Sequence, residues 1–309
     1  MQAFLHAKEN LNDPWFWKNG LVGMQSVREV RHKILELLND SIEILNNLKI
    51  RYALIKMKHT IDTITYDVDV LIKNPEHIKR FIKAMLSKGY KVYRGRFEFE
   101  RFKVMLFKGI PKEYSIDIYP NIKWGTAYCY DAEYVLQRAR ILNLKSVGYA
   151  YIPSPEDELL IFSTHSLFSQ KILLSELLHV LKLISQIEKL DICYIRYITN
   201  HYGLHIPISV YVLLLLELSK YISSCEGIRN ILQRLLKWLI EYREVSYIFN
   251  ELKRRSPISF PFSITVSESL KCNVYRFIRT LNPQYFANDN VRIIMETIAR
   301  DLYEESKAI

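Results

Sequence analysis

The feature that most constrains the fold of this chain is a pair of aspartates inside a short apolar segment, "TYDVDVLIKN" at residues 65–74. Asp67 and Asp69 alternate with valines, and in a β-strand residues two apart point to the same face. Two carboxylates on one face repel each other, and burial without a partner costs them several kcal/mol. We therefore expect a positively charged group beside this strand.

A third acid occupies a similar segment. The stretch "SIDIY" places Asp117 between two isoleucines, and a position next to the first strand would bring it beside Asp67 and Asp69. Carboxylate oxygens are the ligands that Mg2+ prefers, and Mg2+ also takes phosphate oxygens. The sequence therefore predicts a site for Mg2+, or for Mn2+, at these three residues. The alternative is a set of carboxylates that are solvated or paired with lysines.

The first half of the chain alternates between helical and strand-like segments, which predicts a small α+β domain with a mixed sheet. Pro75 and Gly89 stand at the two ends of one predicted helix, the usual asymmetry of helix termini. Helices are predicted at residues 26–50 and 75–89, and strands at 51–57, 66–72, 90–95, 99–109 and 114–120.

The pattern changes near residue 152, where Ser154, Pro155 and Asp157 form a motif that resembles a helix-capping box with proline at the first helical position. We place a boundary there, between an α/β domain with N-terminal helices at 1–151 and an α-helical bundle at 152–309. Helical periodicity is found at 170–188, 207–222, 226–253, 265–281 and 288–306.

The net charge of +10 is concentrated in the half that carries the aspartates. Residues 1–150 contain 25 Lys and Arg against 16 Asp and Glu, whereas residues 151–309 contain 18 against 17. A basic surface around an acidic centre suits a polyanionic substrate such as a nucleoside triphosphate or RNA. The alternative is an ordinary solvated, lysine-rich surface.

Four further basic residues precede the third acid, and they have two interpretations. They either follow a nucleotide or nucleic-acid backbone or form the charged outer face of the strands. These residues are Arg94, Arg96, Arg101 and Lys103.

His165, in the first predicted helix of the second half, has two interpretations. It is either a polar contact at the junction of the halves or a helix histidine that is hydrogen-bonded within its own part of the protein.

The sequence favours a cytoplasmic protein without a membrane partner. The longest apolar stretch, "VYVLLLLEL" at residues 210–218, is short and contains Glu217, as expected of a buried helix. The four cysteines form no CxxC pair, which is typical of reduced thiols. The N-terminal segment has early charges and no long apolar core, unlike a signal peptide.

The order of these motifs resembles a known family. A strand "YALIKM" lies upstream of "DVDV", and "SIDIY" lies downstream. This arrangement is similar to the nucleotidyltransferase fold of the DNA polymerase β superfamily, in which a strand ends in a Gly-Ser or Gly-Gly turn before the acid pair. The layout, with "SPEDELLIFSTHSLF" opening a helical part, resembles small bacterial and archaeal nucleotidyltransferase-like proteins.

The resemblance implies roles for the acids and for the turn that precedes them. Asp67, Asp69 and Asp117 match the catalytic acids that bind the metal ions, and Asp117 also matches the acid that helps to deprotonate the acceptor.

Lys56 and Met57 stand where the family has Gly-Ser, so phosphate contacts are implied there, with the Lys56 ammonium as a point charge. Lys58 and Thr65, in the following loop, would face the triphosphate; the alternative is an ordinary polar loop. Without nucleotide, we expect Lys56 to lean towards the aspartates.

The function implied by the resemblance is a magnesium-dependent transfer of a nucleoside monophosphate from a nucleoside triphosphate to an acceptor, with release of pyrophosphate. The acceptor would be an RNA end, a small molecule or a protein side chain, and the basic first half favours RNA, including tRNA. The alternative function is a catalytically silent protein that binds nucleotide or nucleic acid on the same fold. The Lys56-Met57 departure supports that alternative.

Overall fold

The computed structural model describes the chain in ten stretches. They are residues 14–60, 67–93, 103–108, 114–124, 127–144, 148–168, 173–187, 190–220, 222 and 226–240. Among these residues, no helix is both long and apolar enough to cross a bilayer.

The first part of the chain contains a long helix, then strands and short helices. In order, these elements are α1 (Pro14–Asn47), β1 (Ala53–Ile55), β2 (Asp67–Leu71), α2 (Pro75–Ser87), β3 (Lys91–Tyr93), β4 (Val104–Phe107), β5 (Ser115–Tyr119), β6 (Ile122–Trp124), β7 (Ala127–Tyr130), α3 (Ala132–Arg138), β8 (Arg140–Leu144) and β9 (Gly148–Ile152). The described residues after Ile152 are helical: α4 (Pro155–Phe168), α5 (Leu174–Ser185), α6 (Ile192–Tyr202), α7 (His205–Ser219) and α8 (Glu226–Ile240).

The central sheet has five strands in the order β1-β2-β5-β4-β3. Strands β2 and β5 are parallel, and the other neighbouring pairs are antiparallel. The expected α+β class with a mixed sheet is therefore found. The parallel pairing sets Asp69 directly opposite Asp117, so the two acidic segments are neighbours.

Helix α2 supplies the crossover that follows β2, and its ends agree with the sequence. The Asn74 side chain accepts hydrogen bonds from the amides of Glu76 and His77, and Pro75 occupies the first turn. Gly89 follows the helix with φ +85°, a conformation that favours glycine. The helix buries one apolar face, consisting of Ile78, Phe81, Ile82 and Met85.

The alternation along the strands sends the two faces of the sheet to different cores. Val70 of β2 and Ile118 of β5 pack in a cluster with α1 and α2. Leu71 and Tyr119 pack in a second cluster, which includes apolar residues of α4 to α8 such as Leu160. The aspartates share the alternate positions with the second set, so the acidic face of the sheet is the one that meets helices α4 to α8.

The helical character of the second half is confirmed for the described residues, but its details differ from the prediction. Helix α6 was not predicted, and neither were the hairpins β6–β7 and β8–β9 or helix α3, since these elements are too short to show a period. The predicted helices at 265–281 and 288–306 lie outside the described residues. The division into two domains stays a prediction, because both halves contribute to one hydrophobic cluster.

The predicted capping motif at the junction is confirmed. The Asp157 amide donates to Ser154 Oγ, and the Ser154 hydroxyl donates to Asp157 Oδ2 at 2.8 Å. Tyr194 of α6 donates its hydroxyl proton to Asp157 Oδ1 at 2.6 Å. Burial raises the pKa of Asp157 to about 6, against the lowering effect of these hydrogen bonds and of Arg138.

We predict that Asp157→Asn flattens the pH dependence of stability. Because the pKa of Asp157 is raised, the folded protein retains a proton that the unfolded chain releases above about pH 4. This carboxyl therefore lowers the free energy of unfolding by about 1–3 kcal/mol as pH rises from 4 to 7. Urea unfolding at pH 4.5 and 7 should show a smaller loss in Asp157→Asn than in the wild type. Glu76→Gln, at an exposed carboxyl of α2, is the control, and an equal loss in Asp157→Asn would contradict the prediction.

Candidate functional site

Three carboxylates meet on the face of the sheet that is turned towards helices α4 to α8. Asp67 and Asp69 come from β2, and Asp117 comes from the paired strand β5. One oxygen from each of the three lies within 4.8 Å of the others, a spacing that can hold a metal ion. Asp69 and Asp117 are buried, with 6% and 1% of the residue exposed. The predicted proximity of the three acids is confirmed.

Lys56 lies against this cluster, as expected without nucleotide. Its ammonium nitrogen is 2.9 Å from Asp69 Oδ1 and 3.4 Å from the Tyr119 hydroxyl. It also lies 5.2 Å from the ring centres of Tyr119 and Trp124, within the range of cation–π attraction. Burial by itself would lower the pKa of Lys56, but the aspartates, with Asp69 foremost, raise it above its ordinary value. Lys56 is therefore a charged group of the site.

Lys56 also has an unusual backbone, with φ +57° in the left-handed region. This region costs a residue with a Cβ about 1–2 kcal/mol, and glycine occupies it freely. Lys56 thus combines a turn that glycine would adopt without strain with an ammonium group at the carboxylates.

Lys103, immediately before β4, is a second cation at the site. Its ammonium contacts Asp117 Oδ2, and Ser115 donates its hydroxyl proton to Asp117 Oδ1 at 3.2 Å. The sequence left two interpretations for Lys103: a contact with a nucleotide or nucleic-acid backbone, or a place on the charged outer face of the strands. The structure shows instead that it points to the acid cluster. The neighbouring Arg94, Arg96 and Arg101 lie outside the described residues.

Burial dominates the acid–base properties of the aspartates. It raises the pKa of Asp69 to about 7, against the opposing charge of Lys56. It also raises the pKa of Asp117, against the opposing charge of Lys103. The Lys56 ammonium, 2.9 Å from Asp69 Oδ1, compensates part of the cost of burying this carboxylate.

The site fits a hard divalent cation by the chemistry and the spacing of its donors. They are carboxylate oxygens, the ligand type that Mg2+ and Mn2+ take, and one oxygen of each residue lies within 4.8 Å of the others. Asp67, Asp69 and Asp117 are therefore the residues of this chain that would hold such an ion.

The other residues implied in nucleotide binding are placed differently. The Met57 side chain is partly buried and packs against the hydrophobic cluster that includes Val70 and Ile118. Lys58 extends its ammonium group to within 3.4 Å of Ser175 Oγ in the helical half. Thr65 lies outside the described residues. Among the described residues that were implied in nucleotide binding, Lys56 is the one that lies at the carboxylates.

An aromatic pair, which was not predicted from the sequence, borders the carboxylate site. Trp124 and Tyr119 pack edge to face, with ring centres 5.7 Å apart. Trp124 donates its indole proton to Thr164 of α4 at 3.0 Å. The ring of His165, in α4, packs edge to face on Trp124 with ring centres 4.8 Å apart, and His165 Nδ1 lies 3.7 Å from Glu176 Oε1 within the helical half. The contact of His165 across the junction is thus aromatic, and its polar neighbour is internal to the helices, so both interpretations of this residue stay open.

A second polar cluster joins the loop after β1 to the helices. His179 Nε2 lies 2.6 Å from Glu158 Oε2, and His179 Nδ1 lies 2.7 Å from Thr60 Oγ1. Burial raises the pKa of Glu158 to about 7 and lowers that of His179 to about 3. The spacing of His59, Glu158 and His179 would also suit a metal.

The hydrogen bonds of this second cluster favour a protein network over a metal site. Arg140 has only N–H donors, and it lies 3.3 Å from His59 Nε2 and 3.5 Å from Glu158. His59 Nε2 is therefore an acceptor, and a neutral His59 carries its proton on Nδ1, 3.1 Å from the Met57 carbonyl. A protonated nitrogen cannot bind a metal, and the Arg140 charge would repel one. The cluster fixes the loop from Lys56 to Thr60 against the helices.

We predict that Lys56→Gly is more stable than Lys56→Ala. Both substitutions remove the ammonium group, but only glycine relieves the left-handed backbone. The difference in unfolding free energy should be about 1 kcal/mol in favour of glycine, measured by urea unfolding at pH 7. An alanine variant as stable as the glycine variant would show that the left-handed conformation at residue 56 carries no strain.

No model of a known protein family matches this chain, and no curated protein sequence is significantly similar to it.

Proposed function

We propose that the chain is a metal-dependent nucleotidyltransferase, which moves a nucleoside monophosphate from a nucleoside triphosphate to an acceptor and releases pyrophosphate. The observation that carries the proposal is the meeting of Asp67, Asp69 and Asp117, from two parallel strands, within 4.8 Å on one face of the sheet. A stable fold gains nothing from three adjacent carboxylates, since burial and mutual repulsion both oppose them. A site that binds metal ions and phosphates gives them a purpose.

The proposed reaction forms a bond between an acceptor oxygen and the α-phosphorus of the triphosphate and breaks the bond to the bridging oxygen of the β-phosphate. When bound, Mg2+ or Mn2+ supplies charge neutralisation for the attacking and leaving oxygens. The three aspartates would hold the ion, and Asp117 would receive the proton of the acceptor hydroxyl. When nucleotide binds, the Lys56 ammonium would move from Asp69 to the β- or γ-phosphate and form a charge-assisted hydrogen bond there.

We infer the class of acceptor from the distribution of basic residues along the chain. The excess of basic residues lies in the half of the chain that contains the carboxylates. A polyanionic acceptor such as an RNA or tRNA end is attracted to such a surface. A small hydroxylated molecule or a protein side chain remains a further acceptor class within the same chemistry.

One observation favours a second function, a catalytically silent protein that binds nucleotide or nucleic acid. Lys56 and Lys103 lie directly against the acids, so the cluster has protein counter-ions even without metal. In such a protein the two lysines would neutralise the acids permanently, and no transfer would take place. The acceptor assay below separates the two functions.

The test is transfer of label from each α-labelled nucleoside triphosphate to total cellular RNA, or to the protein itself, with Mg2+ or Mn2+. We expect labelled RNA with the wild type and a loss of about 100-fold or more in Asp117→Asn, since a metal ion contributes several kcal/mol to such a transition state. Glu43→Gln, on the outer side of α1, is the matched control and should retain activity. Nucleotide binding without transfer to any acceptor would favour the silent protein.

We predict that Lys56→Met weakens nucleotide binding. The loss of one hydrogen bond to a charged group should lower the affinity for a non-hydrolysable triphosphate with Mg2+ by about 1.5–3 kcal/mol, measured by calorimetry. Lys79→Met, whose ammonium pairs with Glu76 on the exposed side of α2, is the control. Unchanged affinity in Lys56→Met would remove Lys56 from the phosphate site.

A further inference from the structure

Two ammonium groups lie against the carboxylates that would hold the metal. Lys56 Nζ is 2.9 Å from Asp69 Oδ1, and Lys103 Nζ contacts Asp117 Oδ2. The side chains of the two lysines are only 13% and 16% exposed. Lysine side chains this deeply buried are uncommon in proteins unless they are paired, so these contacts differ from ordinary surface ion pairs.

The fold places both lysines here through separate elements. In the antiparallel pair β4–β5, Met105 is opposite Asp117, and Lys103, two residues earlier, points to the same face. Lys56 reaches the site from the end of β1. The ring of Tyr119 lies 5.2 Å from Lys56 Nζ and 5.8 Å from Lys103 Nζ. One aromatic ring therefore faces both cations.

The two ammonium groups compete with any divalent cation for the same oxygens. A metal ion bound to Asp69 and Asp117 would lie close to both, and like charges repel strongly in a site with little water. The repulsion falls if the ammonium groups find other anions. A triphosphate offers such anions at the same place, and lysine binds phosphate as a point charge.

We propose that Lys56 and Lys103 are built-in counter-ions that make metal binding depend on the triphosphate. Without nucleotide they hold the carboxylates and keep free metal ions out. With nucleotide they move to the phosphates, and the carboxylates become available to the metal. The inference rests on the metal-binding part of the proposed function and adds to it a regulation of the same site. Because coupling between two ligands is reciprocal, metal should strengthen triphosphate binding by the same factor.

The test is Mn2+ binding to the full chain at pH 7.5, by electron paramagnetic resonance and calorimetry, with and without α,β-methylene-ATP. Lys103→Gln removes the charge but retains a donor for Asp117, which protects the fold. We expect Lys103→Gln to bind Mn2+ alone about tenfold or more tightly than the wild type, because one repelling charge is gone. The nucleotide analogue should then enhance Mn2+ binding less in this variant than in the wild type.

Two matched variants control the experiment. Lys103→Arg keeps the positive charge and should bind Mn2+ like the wild type. Lys108→Gln removes a lysine just after β4 whose ammonium pairs with Glu36, and it should also behave like the wild type. Circular dichroism and thermal unfolding of each variant check that the fold is intact.

Equal Mn2+ affinity in Lys103→Gln and the wild type, with binding abolished by Asp117→Asn, would overturn this inference and leave the metal site standing. Absence of Mn2+ binding in every protein, with or without the analogue, would overturn the proposed metal site and this inference with it. Tighter binding in Lys103→Arg as well would show that the lysine acts by shape, not charge, and would also overturn the inference.

Discussion

The structure depends on three adjacent carboxylates, two of them buried, on one face of the β2–β5 pair. Parallel pairing sets Asp69 opposite Asp117, and their burial is tolerated because two lysines and an aromatic ring lie against them. The left-handed backbone at Lys56 follows from the same constraint, since the chain must turn sharply at the end of β1 to bring an ammonium group back over the strand. Strain at such a position is tolerated where the surrounding structure fixes it.

The helical half takes part in this site although it contributes none of the three acids. The network of Thr60, His179, Glu158 and Arg140 holds the loop after β1, and Trp124 is fixed by α4. The Lys56 ammonium, which lies against the carboxylates of the sheet, is therefore positioned partly by residues outside the sheet. The two halves are also joined by the hydrophobic cluster that they share.

Much of the site could be predicted because its signals are local. The alternation of acids and valines in β2 fixes the face on which Asp67 and Asp69 lie, and the isoleucines around Asp117 mark a second buried strand. The capping motif at Ser154 and Asp157 depends on residues three apart. Lys103 was harder to place, because a charged residue before a strand has the same local pattern whether it faces solvent or a buried acid. Glu158 and His179 were missed for a similar reason, as their partners are distant in the sequence.

The α+β class, the acidic strands and the need for positive charge beside them follow from local sequence, because side-chain periodicity and the cost of burying charge act within a few residues. The source of that charge is set by the three-dimensional arrangement of the strands and helices. The strand order β1-β2-β5-β4-β3 brings Lys56 and Lys103 to the acids from opposite sides, and the packing of the helices closes the site around Trp124. Strand order and packing depend on contacts between residues far apart in the chain, which periodicity does not encode.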